Sequence, residues 1–558
     1  MFVLDLVVVA ATAAIVIVFS GHGGAVAVGR LTVSLTSARN PAIIALLALV
    51  ARSAFTDVPF LGIAALRLSP LSTRALRWWA LQRQRLMHVT EDRAARILLA
   101  IVCASFAVKL MNIILHFGFW TGDDVEIHEM TFAHLFGWHW QAWELRSAFY
   151  PMSFIYPVQA LLHWTGQNDP GRLIIAGRVV VALFSLANLC LTFRVARRLF
   201  DSIPIALLAV LILASNKLHT MGGSTELPRT ISSFFVLAGF NALLVPADAI
   251  AAAIAGGLIG IAAAMRFSEA MFVVPAVIQI ATTRRWRSVA LCTISFALVC
   301  AGILGLADKL YWGQSFFSLR HIVDFTLVRG LSSRGYQPFY EYFRSIPAWA
   351  DPLVVALALL ATRRRMWTLA VWTWFPVICL SVLPHKEPRY LIPILPFLAM
   401  MAAFSLWQII QWLCESSADA HSSMRRERFA AILLVACLCA FVFEVSGFWF
   451  VRSEADVVLA EAIARQGPVG GVAIEQAWRM GGRLYLPDAE PLIDIEPPGD
   501  PGAIASVLGT PAIRWIALLD RDVRRFGYDS LTRAAGFDEV TFPRKGGSEY
   551  RVFHRREH

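Results

Sequence analysis

From Arg96 onward the sequence alternates apolar runs with short polar clusters, and that alternation limits the possible folds more than any other feature. Eleven runs stand out, at roughly 97–117, 172–193, 203–216, 230–246, 248–264, 269–282, 288–306, 350–362, 366–383, 390–413 and 429–450. A helix needs about 20 apolar residues to cross a bilayer, so the runs predict membrane helices, several of them short for a full crossing. At 558 residues, 57% hydrophobic and 16% charged, with a mean hydropathy of +0.60, the chain is too apolar for a soluble protein and too long for one core. The expected fold class is a polytopic α-helical membrane protein.

A formal charge of +11 would suggest nucleic acid in a soluble chain, but here the arginines cluster between apolar runs, where they specify topology instead. Arg74 to Arg96, Arg194 to Arg198, Arg284 to Arg287, Arg363 to Arg365 and Arg425 to Arg428 all fall on one side if the runs alternate. By the positive-inside rule that side is cytoplasmic. The opposite side collects Asp123 to Arg146, Asn216 to Arg229, Arg266 to Glu269, Asp308 to Trp349, His385 to Arg389 and everything after Val451. Every unusual polar cluster is thus expected outside the cytoplasm. Membrane lipids are the expected surroundings, and no nucleic acid is expected.

Before Arg96, hydrophobic segments near 3–19 and 41–55 and an interfacial stretch at Trp78 and Trp79 are expected, with no chemistry. The first reads as an anchor, since it lacks the basic start of a cleaved signal. The eight cysteines lie in or beside apolar runs, which argues against a disulfide framework or a zinc site. Residues 451–558 differ in kind. A helical pattern from Glu454 to Arg465 is followed by a strand at Val472 to Ile474, a turn at Gly481-Gly482 and a loop from Pro491. A second strand at Ile513 to Leu519 and a helix near Tyr528 to Ala535 complete a small α/β domain.

The stretch from Thr121 to Pro151 packs Asp123, Asp124, Glu126, His128, Glu129, Glu144 and Arg146 among aromatics such as Trp143. A charge at mid-bilayer costs at least ~3 kcal/mol, so the stretch is expected at the membrane surface. Asp123 could cap a helix beginning at Asp124, with Glu126 closing a capping box. Alternatively, the pair supplies a catalytic base for a hydroxyl or holds a divalent cation. If the segment is helical, Asp124, His128 and Thr131 share one stripe and Glu126 and Glu129 another.

His385-Lys386-Glu387-Pro388-Arg389-Tyr390 surrounds one carboxylate with three potential cations, a set suited to a lipid phosphate. These charges sit where the positive-inside rule would not place them, which weighs against snorkelling. Arg266 and Glu269, at a turn between two runs, read either as a buried brace or as a second phosphate or sugar contact. The segment from Gly222 to Arg229, with Glu226 in it, poses the same choice and leans toward structure, since its Gly and Pro punctuate a turn. Aromatics and cations from Asp308 to Trp349, Tyr311 among them, suit interfacial anchoring or stacking on sugar rings.

With these residues in view, His385-Lys386-Glu387-x-Arg389-Tyr390 followed by Pro393 and Pro396 resembles the H-K-E-x-R-[FY]…P…P signature of glycosyltransferase family 22. Those are the GT-C mannosyltransferases of lipid-linked oligosaccharide and GPI-anchor assembly. Asp123-Asp124, Gly137, Trp143-Glu144, Arg146-Ser147 and Tyr150-Pro151 are similar to the family's first-loop pattern, and Asp308, Tyr311, Gly313, Gly335 and Tyr342 to later landmarks. The resemblance covers roughly residues 96–450. It implies a GT-C fold and transfer of a sugar, mannose by expectation, from a polyprenyl-phosphate donor to an extracytoplasmic glycan or glycolipid with inversion. Asp123 or Asp124 is then the base, and His385, Lys386, Arg389 and Arg266 bind the donor phosphate. Glu126, His128, Glu129, Trp143, Glu144, Arg146, Glu269, Asp308, Tyr311 and Glu387 contact substrate or support the site. No metal ligand set is assigned and no cofactor is required, although the paired aspartates leave room for Mg²⁺ or Mn²⁺. The composition leans toward a bacterial inner membrane. The competing classes are a transporter or flippase of a lipid-linked sugar, whose charges would line a path through the bundle, and a GT-C transferase of another sugar.

Overall fold

The computed structural model describes two strands at 25–28 and 31–34 and residues 90–556, apart from 116–117, 121, 138–145, 246–247, 330–335, 362–365, 416–454, 468, 476–483, 496–498 and 542–549. The apolar segments expected near 3–19, 41–55 and 429–450, the Trp78-Trp79 stretch and the Gly481-Gly482 turn lie outside the described residues. Ala25–Val28 (β1) and Leu31–Ser34 (β2) form an antiparallel pair that the sequence reading did not anticipate.

Among the described residues from 90 to 415, all regular secondary structure is helical. Among the described residues four helices are long and apolar enough to cross a membrane: Glu91–Leu115 (α1), Pro170–Phe200 (α3), Trp286–Trp312 (α7) and Pro388–Gln411. Gly122–Phe136 (α2) precedes the second of these. Shorter apolar helices are Ile203–Ser215 (α4), Ala249–Met265 (α6), Phe267–Ala281 and Trp367–Val382 (α8). Arg229–Leu243 (α5) lies between α4 and α6, and Leu395–Glu415 (α9) continues a 3-10 turn at Pro388–Ile394. Ten of the eleven expected runs therefore fall on these helices or on Pro352–Leu360.

Local chemistry sets the ends. Asp169 caps α3 by accepting the Arg172 N–H at 2.8 Å, with Pro170 in the first turn where its missing N–H does no harm. Asp248 and Asp351 cap α6 and Pro352–Leu360 in the same way. Helices α6 and α7 meet at Gly256, where a β-carbon would stand 2.0 Å from the Cys292 carbonyl oxygen, so only glycine permits that approach. The main core joins α3, α4, α5, α8 and α9 around Phe240, Trp372 and Phe397, with ring centroids 5.1–5.4 Å apart. The Trp372 indole N–H donates to Gln279, which satisfies its one polar atom.

Two loop expectations change. Residues 308–349 are not one loop. Helix α7 runs on to Trp312 and is followed by Phe317–Val323 and a π turn at Asp324–Val328. Asp308 can lie inside α7 because Ser318 supplies its carboxylate with a backbone N–H and a hydroxyl, each within 2.9 Å. The stretch after Pro491 contains a strand, Leu492–Ile495 (β4), since a parallel neighbour takes up its backbone groups.

That neighbour is Gly471–Glu475 (β3) in the C-terminal domain, which also holds Ile513–Leu519 (β5), Phe537–Val540 (β6) and Tyr550–Arg555 (β7). The sheet order is β4-β3-β5-β7-β6, parallel across β4, β3 and β5 and antiparallel across β5, β7 and β6. One face of this domain does more than close on itself. Val457, Tyr485 and Leu486 share a buried cluster with Phe119, and with Val125 and Phe132 of α2. The Tyr485 and Phe119 rings meet edge to face at 6.5 Å.

Candidate active site

Helix α2 places its two aspartates in different environments, because consecutive helical residues point about 100° apart. Asp124 is fully buried and its Oδ2 accepts the Trp120 N–H at 3.0 Å. Asp123 turns into a cavity of about 490 Å³. Its two oxygens go to guanidiniums: Oδ1 accepts from Arg146, and Oδ2 lies 2.8 Å from Arg389 Nη2. Glu126 pairs with the Nε of Arg146. The expected capping box gives way to these ion pairs, since nearby guanidiniums are stronger partners than backbone N–H groups.

The His385 to Arg389 turn meets α2 across the same cavity. Glu387 is extended, with φ −132° and ψ 141°, and an extended chain sends alternate side chains to opposite sides. His385, Glu387 and Arg389 face the cavity, with Glu387 between His385 at 3.3 Å and the Nε of Arg389. Lys386 faces the other way. Its Nζ donates to the Gln337 and Leu383 carbonyls at 2.9 and 2.5 Å, and it lines a neighbouring hollow instead. The sequence reading placed Lys386 with the phosphate ligands; the period-two geometry separates it from them.

Arg266 and Glu269 also part. Glu269 is buried and accepts from Ser232 at 3.0 Å and Ser268 at 2.5 Å, with Arg229 Nη1 at 3.6 Å. The expected brace is therefore Arg229–Glu269. Arg229 also stacks on the Tyr390 ring, 4.0 Å from its centroid. Arg266 remains on the cavity wall, 5.8 Å from the same centroid, and its guanidinium makes no ion pair or hydrogen bond with any described residue.

The cavity lining has two characters: it includes the charged or titratable Asp123, Arg146, Arg229, Arg266, His385, Glu387 and Arg389 and the apolar Leu319, Ile322, Val323, Phe325, Leu380 and Leu383. Burial works against ionisation of Asp123, but Arg146, Arg389 and Arg266 outweigh it and hold the carboxyl well below the usual carboxylate range. Arg389 in turn lies between two carboxylates, Asp123 and Glu387. The cavity thus presents a permanent carboxylate amid an excess of fixed positive charge.

The remaining candidates are spread around this centre. Asp308 is committed to Ser318, and Tyr311 packs against Met130 and Ala148. Glu129 is half-buried and outside the cavity wall. Trp143 and Glu144 lie outside the described residues. Among the described residues no group of three His, Cys, Asp or Glu side chains is placed to hold a metal ion, and Asp123 and Asp124 do not converge on a shared point.

His128 leads to a group that the sequence reading passed over. Its Nε2 lies 3.0 Å from Glu226 Oε1, and Glu226 also accepts from Arg178 Nε at 2.5 Å. All three are fully buried. Arg178 stands within the apolar run of α3, and an intramembrane charge needs a partner; that was the available signal.

A sequence model of the Alg9-like mannosyltransferase family matches residues 119–464, which contain both the acidic helix and the His385 to Arg389 turn. The chain belongs to the Alg9-like mannosyltransferase family. Among its relatives, GPI mannosyltransferase 3 of Yarrowia lipolytica is 29% identical over 306 residues, 51% of this chain and 58% of that protein. The Dol-P-Man:Man(7)GlcNAc(2)-PP-Dol alpha-1,6-mannosyltransferase of Drosophila melanogaster is 29% identical over 145 residues, 25% of this chain and 21% of that one. The matched region thus spans little more than half of the first relative and about a fifth of the second. In fold, this family member is similar to ArnT from Cupriavidus metallidurans, with a TM-score of 0.57 at 15% identity over 82% of this chain and 97% of that one. The archaeal oligosaccharyltransferase AglB from Archaeoglobus fulgidus gives a TM-score of 0.51 at 9% identity, covering 79% and 72%. The architecture is the GT-C membrane fold.

Proposed function

We propose that this chain is an integral-membrane mannosyltransferase that takes mannose from a polyprenyl-phosphate donor and gives it to a glycan or glycolipid hydroxyl outside the cytoplasm. The observation that carries this reading is the pairing of Asp123 with Arg389 in a cavity lined by both charged and apolar side chains. Such a cavity suits a ligand that is itself part sugar phosphate and part hydrocarbon. Named mannosyltransferases among the relatives, one of them carrying Dol-P-Man in its name, support the same donor class.

In the proposed step the acceptor oxygen attacks the anomeric carbon as the bond from that carbon to the phosphate oxygen breaks, with inversion. Asp123 takes the hydroxyl proton. The departing lipid phosphate carries the displaced electron pair, and fixed cations stabilise it without a protonating acid. Arg266, whose guanidinium makes no ion pair or hydrogen bond with any described residue, and Arg389 are assigned that role, with His385 beside them. Asp123 clamped by two guanidiniums is a weak base. A bound phosphate competes for Arg389, and drawing it away raises the proton affinity of Asp123 at the moment it is needed.

The arginine clusters between the apolar runs support an extracytoplasmic site, and the composition supports a bacterial inner membrane. Purified protein incubated with radiolabelled polyprenyl-phosphate-mannose and glycolipid acceptors should release lipid phosphate and label the acceptor. Movement of the intact donor across a vesicle bilayer without transfer would overturn the reading in favour of a flippase. Transfer of a pentose or hexosamine in preference to mannose would reassign the sugar.

A further inference from the structure

Behind Asp123, on the buried side of α2, four side chains form a chain of hydrogen bonds with a defined direction. Gln159 Nε2 lies 2.9 Å from His128 Nδ1 and 3.1 Å from the Leu173 carbonyl oxygen. An amide nitrogen only donates, and placing the amide oxygen there would set it against a carbonyl, so Nδ1 accepts. The imidazole proton therefore sits on Nε2 and is donated to Glu226. Arg178 anchors the other end: it donates to Glu226 and, through Nη2, to the Gly118 carbonyl at 3.0 Å. Burial pushes the His128 imidazole toward its neutral form, consistent with that direction of donation.

Glu226 belongs to a segment that leads directly into the cavity lining, through Pro228 and Arg229. Its backbone carbonyl also accepts the hydroxyl of Tyr150, another cavity residue. Gly177 permits the close fit, since a β-carbon there would stand 3.1 Å from His128 Cε1. One carboxylate thus ties together the helix that carries Asp123, the long helix α3 and the segment that carries Arg229.

We propose that His128, Glu226 and Arg178 are positioning residues for the transfer reaction, fixing the helix that carries Asp123 against the segment that brings Arg229 to the cavity. This rests on the function proposed above. None of the three touches the cavity, so their influence is expected on turnover more than on substrate affinity. A displacement of about 1 Å in a reacting group can cost roughly 100-fold in rate.

The test uses the full chain in detergent or vesicles. His128→Ala is the first variant because it leaves the Arg178–Glu226 pair intact. It should lower kcat roughly 10- to 100-fold with both KM values within about threefold. His128→Gln, whose amide nitrogen falls near the lost Nε2–H, should recover most of the loss. The double variant Arg178→Met, Glu226→Met removes both buried charges together, so neither is left uncompensated, and it should show a similar fall in kcat. A readout independent of turnover is amide hydrogen exchange, which in His128→Ala should rise in α2 and in 222–229 but not in α6 or α7. Wild-type kcat in folded His128→Ala, a loss confined to KM, or unchanged exchange would each overturn the proposal. A wild-type chain that transfers no mannose sinks the proposed function instead, and the exchange measurement still decides whether the network positions α2.

Discussion

Arg389 Nη2 lies 2.8 Å from Asp123 Oδ2, joining the first polar cluster after α1 to the last polar turn before α9. Its partner oxygen is held by Arg146, so a single carboxylate sits between two guanidiniums. Every role assigned to this cavity depends on that contact.

The two aspartates separate cleanly under mutation. Asp123→Asn should reduce transfer by roughly 10²- to 10⁴-fold, the range for loss of a general base. Asp124→Asn alters a buried carboxylate that accepts the Trp120 N–H and does not line the cavity; it should lower the yield of folded protein while each folded molecule keeps turnover within about tenfold of wild type. Turnover per folded enzyme, from assays on monodisperse protein, decides the matter. The reverse pattern would transfer the base to Asp124.

Donor affinity should distinguish Arg266 from Lys386. Loss of a hydrogen bond to a charged group is worth about 1.5–3 kcal/mol, so Arg266→Gln is expected to raise the donor KM by roughly ten- to a hundredfold. Lys386 satisfies two backbone carbonyls away from the cavity. Its replacement by Met should leave the donor KM within about twofold and show instead as a lower thermal midpoint. Kinetics at saturating acceptor measure both.

The pH dependence has a definite sign. The carboxyl of Asp123 is held below its unfolded value by Arg146, Arg389 and Arg266, against the effect of burial. Its stabilising contribution is therefore complete above about pH 4 and disappears only as pH falls through the still lower folded value. The free enzyme then gains no acidic limb in kcat/KM near neutrality from this group. Once donor phosphate draws Arg389 away, the carboxyl rises, so the acidic limb of kcat should lie at higher pH than that of kcat/KM. Coincident limbs would show that Arg389 stays on Asp123 throughout.

We expect transfer to persist in excess EDTA, since the proposed steps draw on the chain's own cations. Activity restored by Mg²⁺ or Mn²⁺ after chelation would place a metal ion beside Asp123.

The C-terminal domain should melt with the membrane core, because Leu486 and Tyr485 share a cluster with Phe119, Val125 and Phe132. Leu486→Ala should cost about 2–5 kcal/mol and lower one cooperative transition, as followed by scanning fluorescence. An isolated early transition that leaves transfer intact would mean that the domain does not support α2.

Much of this protein is legible along the chain. The apolar runs announced the membrane helices because hydropathy is a property of contiguous residues. The strands β6 and β7 were missed since their pattern is short and their stability comes from pairing with β5. Arg178 and Glu226 were missed as a pair because each looks ordinary in its own segment.

By itself, the sequence determined the class of molecule, the fold family and the two polar clusters that meet at the cavity, all of which depend on composition, period and motif. Only the tertiary structure decided that Asp123 faces the cavity while Asp124 does not, that Glu269 belongs to Arg229, and that Arg266 stays available as Lys386 turns away. Those outcomes turn on which side chains from distant segments reach one another within a few ångströms, and at such separations a charge is decided by its neighbours in space.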